Sequence, residues 1–240
     1  LSLGLSSTST TLQAAVTRAL ESGAVVVAAA GNSGSATLQY PAAYDGVIGV
    51  GSVTLTDGEV VVSSFSQRND SVFVTAPGEA IAGLGYTAAS SYRLDLTSGS
   101  NSGTSYAAPI VSALAALAID YDSDITAAGV RYLLRTTAQD KGSFGYDTDY
   151  GYGVVDPAAF LTELQRDFEI NYDLNGGQLT EFAPSSYTVK DETIDLSVFP
   201  KRDGYLFQGW YTDEACTDQI TEIPAGSLGD LLLYAAWMKA

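Results

Sequence analysis

The chain of 240 residues is 46% hydrophobic and 16% charged, which is enough apolar material for one or two packed domains. Its formal net charge of −17, with acidic residues in excess in both halves, argues against nucleic-acid binding because such a surface repels phosphate. A single cysteine, Cys216, excludes an intrachain disulfide, the absence of histidine excludes an internal imidazole base, and no apolar run is expected to reach the ~20 residues of a membrane helix. The chain opens on Leu1 rather than Met, within an apolar run that reads as a strand, so its start is read as a cut.

Ser9 is placed to cap a helix carrying Leu12, Ala15, Val16, Ala19 and Leu20 at helical spacing, and Gly23 ends it. The unbroken apolar run Ala24–Ala30 then reads as a strand buried on both faces, as do Val47–Val53 and Val72–Thr75. Thr56-Asp57-Gly58-Glu59 predicts a hairpin turn, and Tyr92–Thr97 alternates like a hairpin strand leading toward Ser105. From Thr104 to about Asp120 the pattern is helical and so apolar that burial nearly all round is expected. Pro109 lies close enough to its start that the missing N–H is expected to have no partner to lose. Thr126 can cap a helix with Val130, Leu133 and Leu134, and Asp156-Pro157 opens a last helix ending near Gln165. Helices leading directly into buried strands predict an α/β fold, a parallel sheet with flanking helices, over residues 1–166.

After Asp167 the pattern changes. Phe168, Ile170, Tyr172 and Leu174 alternate up to Asn175-Gly176-Gly177; Tyr187–Val189 and Ile194–Leu196 are short strands, Gly204–Tyr211 is aromatic-rich, and Leu231–Trp237 closes the segment. Residues 167–240 therefore read as a small, mostly antiparallel β module whose aromatic residues form its core and cross-strand pairs.

Two stretches carry chemistry. Ser105 stands where loop gives way to helix, so its hydroxyl and the first-turn N–H groups converge on one spot that favours developing negative charge. Asn32 follows an apolar strand and a glycine, which presents its amide from a strand end. A serine and an amide donor are two parts of an acyl-transfer site, nucleophile and oxyanion stabiliser. The competing readings are that Thr104 or Ser105 caps the helix, and that Asn32 is a turn residue.

Gly103-Thr104-Ser105 with Ala107 and Pro109, Ala30-Gly31-Asn32, Ser2-Leu3-Gly4, and Tyr152-Gly153 before Val154-Val155-Asp156 together resemble the subtilisin-like serine proteases, in that family's order and over about residues 1–165. Tyr106 and Ile110 depart from the methionine and histidine familiar in the motif, at positions outside the triad. An asparagine rather than an acid at position 32 favours the subtilisin branch over the sedolisins. The resemblance implies Ser105 as nucleophile and Asn32 in the oxyanion hole. Ser2, Leu3 and Gly4, with Ala30 and Gly31, become the walls of a primary specificity pocket, and Gln39 its floor. In this family aspartate and histidine precede the serine, and this chain has no histidine. It thus resembles the C-terminal part of a protease domain, inactive alone, with the histidine and aspartate expected upstream. No cofactor is needed for the chemistry. A structural calcium ion is compatible with the family, but no ligands are assigned, and Asp147, Asp149 and Gly151 match only the beginning of a calcium loop.

Tyr172-Asp173-Leu174-Asn175-Gly176-Gly177, Gly209-Trp210-Tyr211 and Leu233-Tyr234-Ala235-Ala236-Trp237 resemble the Listeria–Bacteroides repeat of bacterial surface proteins. That resemblance implies a β-grasp-like stalk or spacer, with a cell-surface or cell-wall partner possible, and a secreted or surface-attached bacterial protein. Two alternatives stay open at this point: an inactive protease-like scaffold, and an adhesion or spacer protein acting through the β module.

Overall fold

The computed structural model of the chain describes residues 1–87, 91–95, 101–179, 183–197 and 199–240, with backbone alone for 84–87 and 91–95. By packing it divides into two units, Leu1–Asp120 with Thr126–Leu161, and Tyr121–Ile125 with Thr162–Ala240.

In the first unit, helix α1 (Thr10–Glu21) starts on Ser9, whose hydroxyl accepts the Leu12 N–H at 3.4 Å. Strand β1 (Val27–Ala29) is wholly buried and shorter than the apolar run that announced it. It pairs in parallel with β2 (Ile48–Thr56), from Val27 against Ile48 to Ala29 against Val50. Across the Asp57-Gly58 turn β2 pairs antiparallel with β3 (Glu59–Val62), and further back it pairs in parallel with β4 (Val74–Pro77). Strands β5 (Gly83–Thr87) and β6 (Ser91–Asp95) form the hairpin foreseen at Tyr92–Thr97, although residues 96 and 97 lie outside the described residues. The stretch Leu1–Gly4 is not a regular strand. It is tied to β1 through Leu1 alone, whose N donates to Val27 O at 2.6 Å and whose carbonyl accepts the Ala29 N–H at 3.0 Å.

Helix α2 (Thr104–Tyr121) buries Ala107, Ala108, Val111, Leu114, Ala115 and Ala118. At 18 residues, close to the expected Thr104 to about Asp120, it is long and apolar enough to cross a membrane by length and composition, and it carries a buried stripe on one side. Burial all round does not occur. Leu117 is 48% exposed and Ile119 39%, and Ile119 lines an open apolar groove of about 600 Å³ with Leu12, Val16 and Ala19 of α1 and Val26 and Val27 beside it. Periodicity reports how apolar a helix is, not whether a neighbour exists to cover each face. Helix α3 (Ala127–Thr137) starts on Thr126, whose hydroxyl accepts the Gly129 N–H at 3.1 Å, and buries Val130, Leu133 and Leu134. Helix α4 (Pro157–Leu164) starts on Asp156, one carboxylate oxygen of which accepts the N–H groups of Ala158 and Ala159 at 3.0 Å each.

The second unit contains a five-stranded sheet in the order β11 (Gln219–Ile220), β10 (Tyr205–Tyr211), β13 (Leu231–Lys239), β7 (Phe168–Asp173), β8 (Ser186–Tyr187), and a two-stranded ribbon of β9 (Ile194–Asp195) with β12 (Glu222–Ile223). Every pairing of these strands is antiparallel except that of β13 with β7, which is parallel. Phe168, Ile170, Tyr187, Leu196, Trp210, Ile223, Leu233 and Ala235 form its core. Asn175 (φ +45°) and Gly176 (φ +81°) make the turn after β7. Asn175 then donates its amide to Ala235 O at 2.8 Å, and Trp237 donates its indole N–H to Leu174 O at 3.0 Å. Gly177 is required because a Cβ there would collide with the Trp237 ring. The expected strand Tyr187–Val189 stops at Tyr187, because Asp191 captures the Thr188 N–H at 2.6 Å.

The Asp156 cap yields a stability prediction. Its carboxyl is held below the ordinary 3.8 by the Ala159 N–H first, and then by the Gln139 amide and the Ala158 N–H. A depressed carboxylate contributes stability that is fully present above 3.8 and is lost as the pH falls below it. Asp156→Ala should cost about 1 kcal/mol at neutral pH, and Asp156→Asn, which still caps, much less. Urea unfolding at pH 7 and pH 3 checks this: the gap between wild type and the alanine variant should shrink in acid.

Candidate active site

Beyond β1 the Ala30 N–H donates to Val50 O at 3.0 Å, completing the parallel ladder, and Gly31 (φ +113°) turns the chain toward α2. The Gly31 N–H donates to Thr104 Oγ1 at 3.1 Å. Asn32 Oδ1 accepts two hydrogen bonds from the residue before Ser105, the Thr104 N–H at 2.8 Å and the Thr104 hydroxyl at 2.9 Å. With that oxygen doubly occupied, the amide orientation is determined and Nδ2 must face the other way. It donates to nothing among the described residues, and it lies beside Gly103, where a Cβ would come within 3.2 Å of it. Gly103 also sits at φ +153°, so the backbone favours glycine there, and a Cβ would press on the Asn32 amide.

Neither Thr104 nor Ser105 caps α2. Thr104 is fully buried and its hydroxyl is consumed by Gly31 and Asn32. Ser105, half-buried in the first turn, donates its hydroxyl to Ser2 O at 3.3 Å, and the Ser2 hydroxyl donates back to Ser105 O at 2.9 Å. The second bond corrects the expectation for Pro109. A residue at 109 would donate its N–H to the carbonyl four positions earlier, which is that of Ser105, so the proline does remove a bond with a partner waiting. Ser2, brought in from the other end of the unit, supplies the missing donor. An interior proline costs a helix about 3 kcal/mol, while one recovered hydrogen bond is worth about 1, so the clamp offsets only part of the strain.

Gly4 and Gln39 lie beside the same junction. The Gln39 side chain lies between two glycines: a Cβ on Gly31 would meet Gln39 Cγ at 2.6 Å, and one on Gly4 would meet Gln39 Oε1 at 3.4 Å. Leu5 and Tyr40 exchange backbone hydrogen bonds of 2.8 and 2.9 Å, which holds the Gln39 segment against Ser2-Leu3-Gly4. Leu3 itself is 54% exposed. The sequence reading missed Gln67, which is fully buried: its Oε1 accepts Ser33 N–H, Ser33 Oγ and Ser35 N–H at 3.2, 2.7 and 3.0 Å, and its Nε2 donates to Thr37 O at 2.6 Å. Gln67 thus orders the loop behind Asn32. Its own neighbours in sequence carry no mark of this, since every partner lies about thirty positions away.

The faint calcium-loop residues are occupied otherwise. Asp147 uses both oxygens on the N–H groups of Ser143, Asp149 and Tyr150, and Asp149 pairs with Arg68 at 3.0 Å. Among the described residues no group of three His, Cys, Asp or Glu side chains could hold a metal ion. Burial, with Asp213 nearby, pushes the Cys216 thiol up, so it is a poor nucleophile.

If the Ser2 hydroxyl replaces the N–H that Pro109 lacks, Ser2→Ala should cost about 1 kcal/mol in the native chain. In a Pro109→Ala background, where residue 109 donates for itself, the cost should largely vanish. Urea unfolding of the four combinations measures the coupling; equal losses in both backgrounds would disprove the link.

Residues 1–153 match the subtilase family, and residues 168–236 match the Listeria-Bacteroides repeat domain. Subtilisin DY of Bacillus licheniformis is 41% identical over 163 residues, covering 66% of this chain and 54% of that protein. Minor extracellular protease Epr of Bacillus subtilis is 35% identical over 164 residues, 68% of this chain and 24% of its own length. The chain therefore spans about half, or less, of the curated relatives it matches. Among solved structures, a protease of Pseudoalteromonas arctica superposes with a TM-score of 0.55 at 30% identity, over 68% of this chain and 49% of that one. A psychrophilic subtilisin-like protease of Pseudoalteromonas sp. AS-11 gives 0.54 at 19% identity, over 68% and 69%, a likeness of fold. With the family match covering well over half of its length, the chain belongs to the subtilase family.

Proposed function

We propose that this chain is the nucleophile-bearing part of a subtilisin-like serine endopeptidase. Ser105 Oγ attacks the scissile carbonyl carbon and the leaving amine departs with a proton. Water then hydrolyses the acyl-enzyme on Ser105. Asn32 Nδ2 and the Ser105 N–H donate to the oxyanion, backed by the positive end of α2. The observation that carries this reading is the double hydrogen bond from Thr104 to Asn32 Oδ1, which turns the amide's donor end outward beside Gly103. A preorganised donor of that kind accounts for two to three orders of magnitude in rate.

The general base and its orienting carboxylate are a histidine and an aspartate of a preceding segment, since the chain has no histidine. That segment also covers the groove beside α1, β1 and α2. Until it is present the Ser105 proton rests on Ser2 O, an acceptor that cannot take it away, and the chain alone does not turn over peptide. Ser2-Leu3-Gly4 and Ala30-Gly31 flank a substrate strand, with Gln39 filling the slot between the glycines and favouring small or polar side chains there. The repeat module serves as a spacer for a secreted or surface-attached bacterial protein, a reading supported by the extracellular relative and by the repeat type.

A fluorophosphonate probe tests the assignment. Ser105 should be labelled after co-folding with the preceding segment and not in the chain alone, with mass spectrometry locating the adduct. Asn32→Ala should slow labelling of the assembled protein 100- to 1000-fold. Labelling in neither sample, with folding verified, would favour the inactive scaffold and leave the β module as the working part. In the assembled protein Gln39→Gly should extend cleavage to larger side chains on the acyl side of the scissile bond; an unchanged peptide-library profile would rule out Gln39 as the pocket floor.

A further inference from the structure

The chain carries 28 acidic residues against 11 basic ones, so two adjacent arginines without a carboxylate stand out as a local concentration of positive charge. Arg68 has Asp149, and Arg166 has both Glu163 and Asp230. Arg18, Arg131, Arg135 and Arg202 have none within 4.0 Å among the described residues, and of these only Arg131 and Arg135 stand together. They stand four positions apart on α3, hence on one face, where like charges repel. The end of α3 offsets Arg135 through the helix dipole, but Arg131 sits in the helix interior. Its guanidinium lies 4.1 Å over the Phe73 ring and donates once, to Val47 O at 3.3 Å, while that of Arg135 lies 5.9 Å from the centre of the Tyr152 ring. Phe73 and Tyr152 themselves meet edge to face at 5.0 Å. Stacking takes up the guanidinium faces and leaves their donor edges for a ligand. The two arginines and both rings, with Ala128 and Tyr132, line one cleft of about 260 Å³. Asp45 and Asp70 line a neighbouring cavity that shares Arg131, Phe73 and Tyr152 with this cleft, and neither closes an ion pair with Arg131.

We propose that this cleft binds a carboxylate presented by an acidic peptide segment, with the Arg131 and Arg135 forks taking the oxygens and the aromatic walls packing the aliphatic stem. The volume suits one glutamate-sized side chain and is too small for a nucleotide. All six lining residues belong to the first packing unit, and none is Ser105 or its partners, so this site is independent of the proposed protease chemistry.

Calorimetric titration of the full chain with acetyl-tetraglutamate-amide, acetyl-tetraglutamine-amide and inorganic phosphate, at constant ionic strength, tests it. The tetraglutamate peptide should bind at least tenfold more tightly than the tetraglutamine one. Arg135→Gln, an exposed position that leaves the Arg131–Phe73 stack in place, should weaken it at least tenfold with the circular dichroism unchanged. Arg131→Gln should do the same where it folds. Absence of tetraglutamate binding, equal binding by Arg135→Gln, or tighter binding of phosphate than of the peptide would overturn the assignment.

Discussion

Thr104 is the residue on which the site depends. Fully buried, it joins the end of β1 to the start of α2 through three hydrogen bonds, to Gly31 across 73 positions of sequence and twice to Asn32 across 72. These bonds set the distance between strand end and helix start, the outward face of the Asn32 amide, and the backbone position of Ser105 one residue on. A valine would fill the same volume but supply neither donor nor acceptor from its side chain, leaving the Gly31 N–H without its partner and the Asn32 oxygen held by the backbone N–H of residue 104 alone. Gly31 and Gly103 are glycines for the same reason: the two segments approach so closely that a Cβ on either would press against Gln39 or Asn32.

Around this junction the polar groups are shared between distant parts of the unit. Gln67 orders the loop after Asn32, and Ser2 answers the carbonyl that Pro109 leaves without its helical donor. The site is therefore held by side chains from segments near residues 2, 32, 67 and 104, each satisfying a backbone group that another segment's geometry has orphaned. Such an arrangement is rigid because its partners are mutually required, and it stands although nothing covers the groove beside α1 and α2 among the described residues.

The sequence made some of this legible and not the rest, for physical reasons. Ser9, Thr126 and Asp156 could be placed as helix caps because capping is local, a side chain reaching N–H groups two or three residues on. Asn32 and Ser105 could be paired through their motifs, though neither periodicity nor composition points at them. The Ser2 hydroxyl bond could not be foreseen, because the acceptor is 103 positions away and only the fold chooses the donor. Gln67 was invisible for a related reason, a buried amide in an unremarkable polar loop. Burial of Leu117 and Ile119 was misjudged because an apolar face announces a demand for cover, not its supply. In the module, alternation at Phe168–Leu174 marked a strand, but its parallel pairing with a strand sixty residues on is a choice made by the packed sheet.

That parallel pair has a mechanical consequence. Because β7 opens the module and β13 closes it, and because the two lie side by side running the same way, the chain comes in at one end of the sheet and leaves at the other. Tension applied through the flanking chain pulls the two strands past each other along their length. The contacts from Ile170–Leu231 to Asp173–Tyr234, together with the Asn175 and Trp237 side-chain bonds, then carry load simultaneously instead of opening one at a time from an end. A module wired this way resists stretching better than a hairpin of equal size peeled from its tip, a property that the proposed spacer role would use.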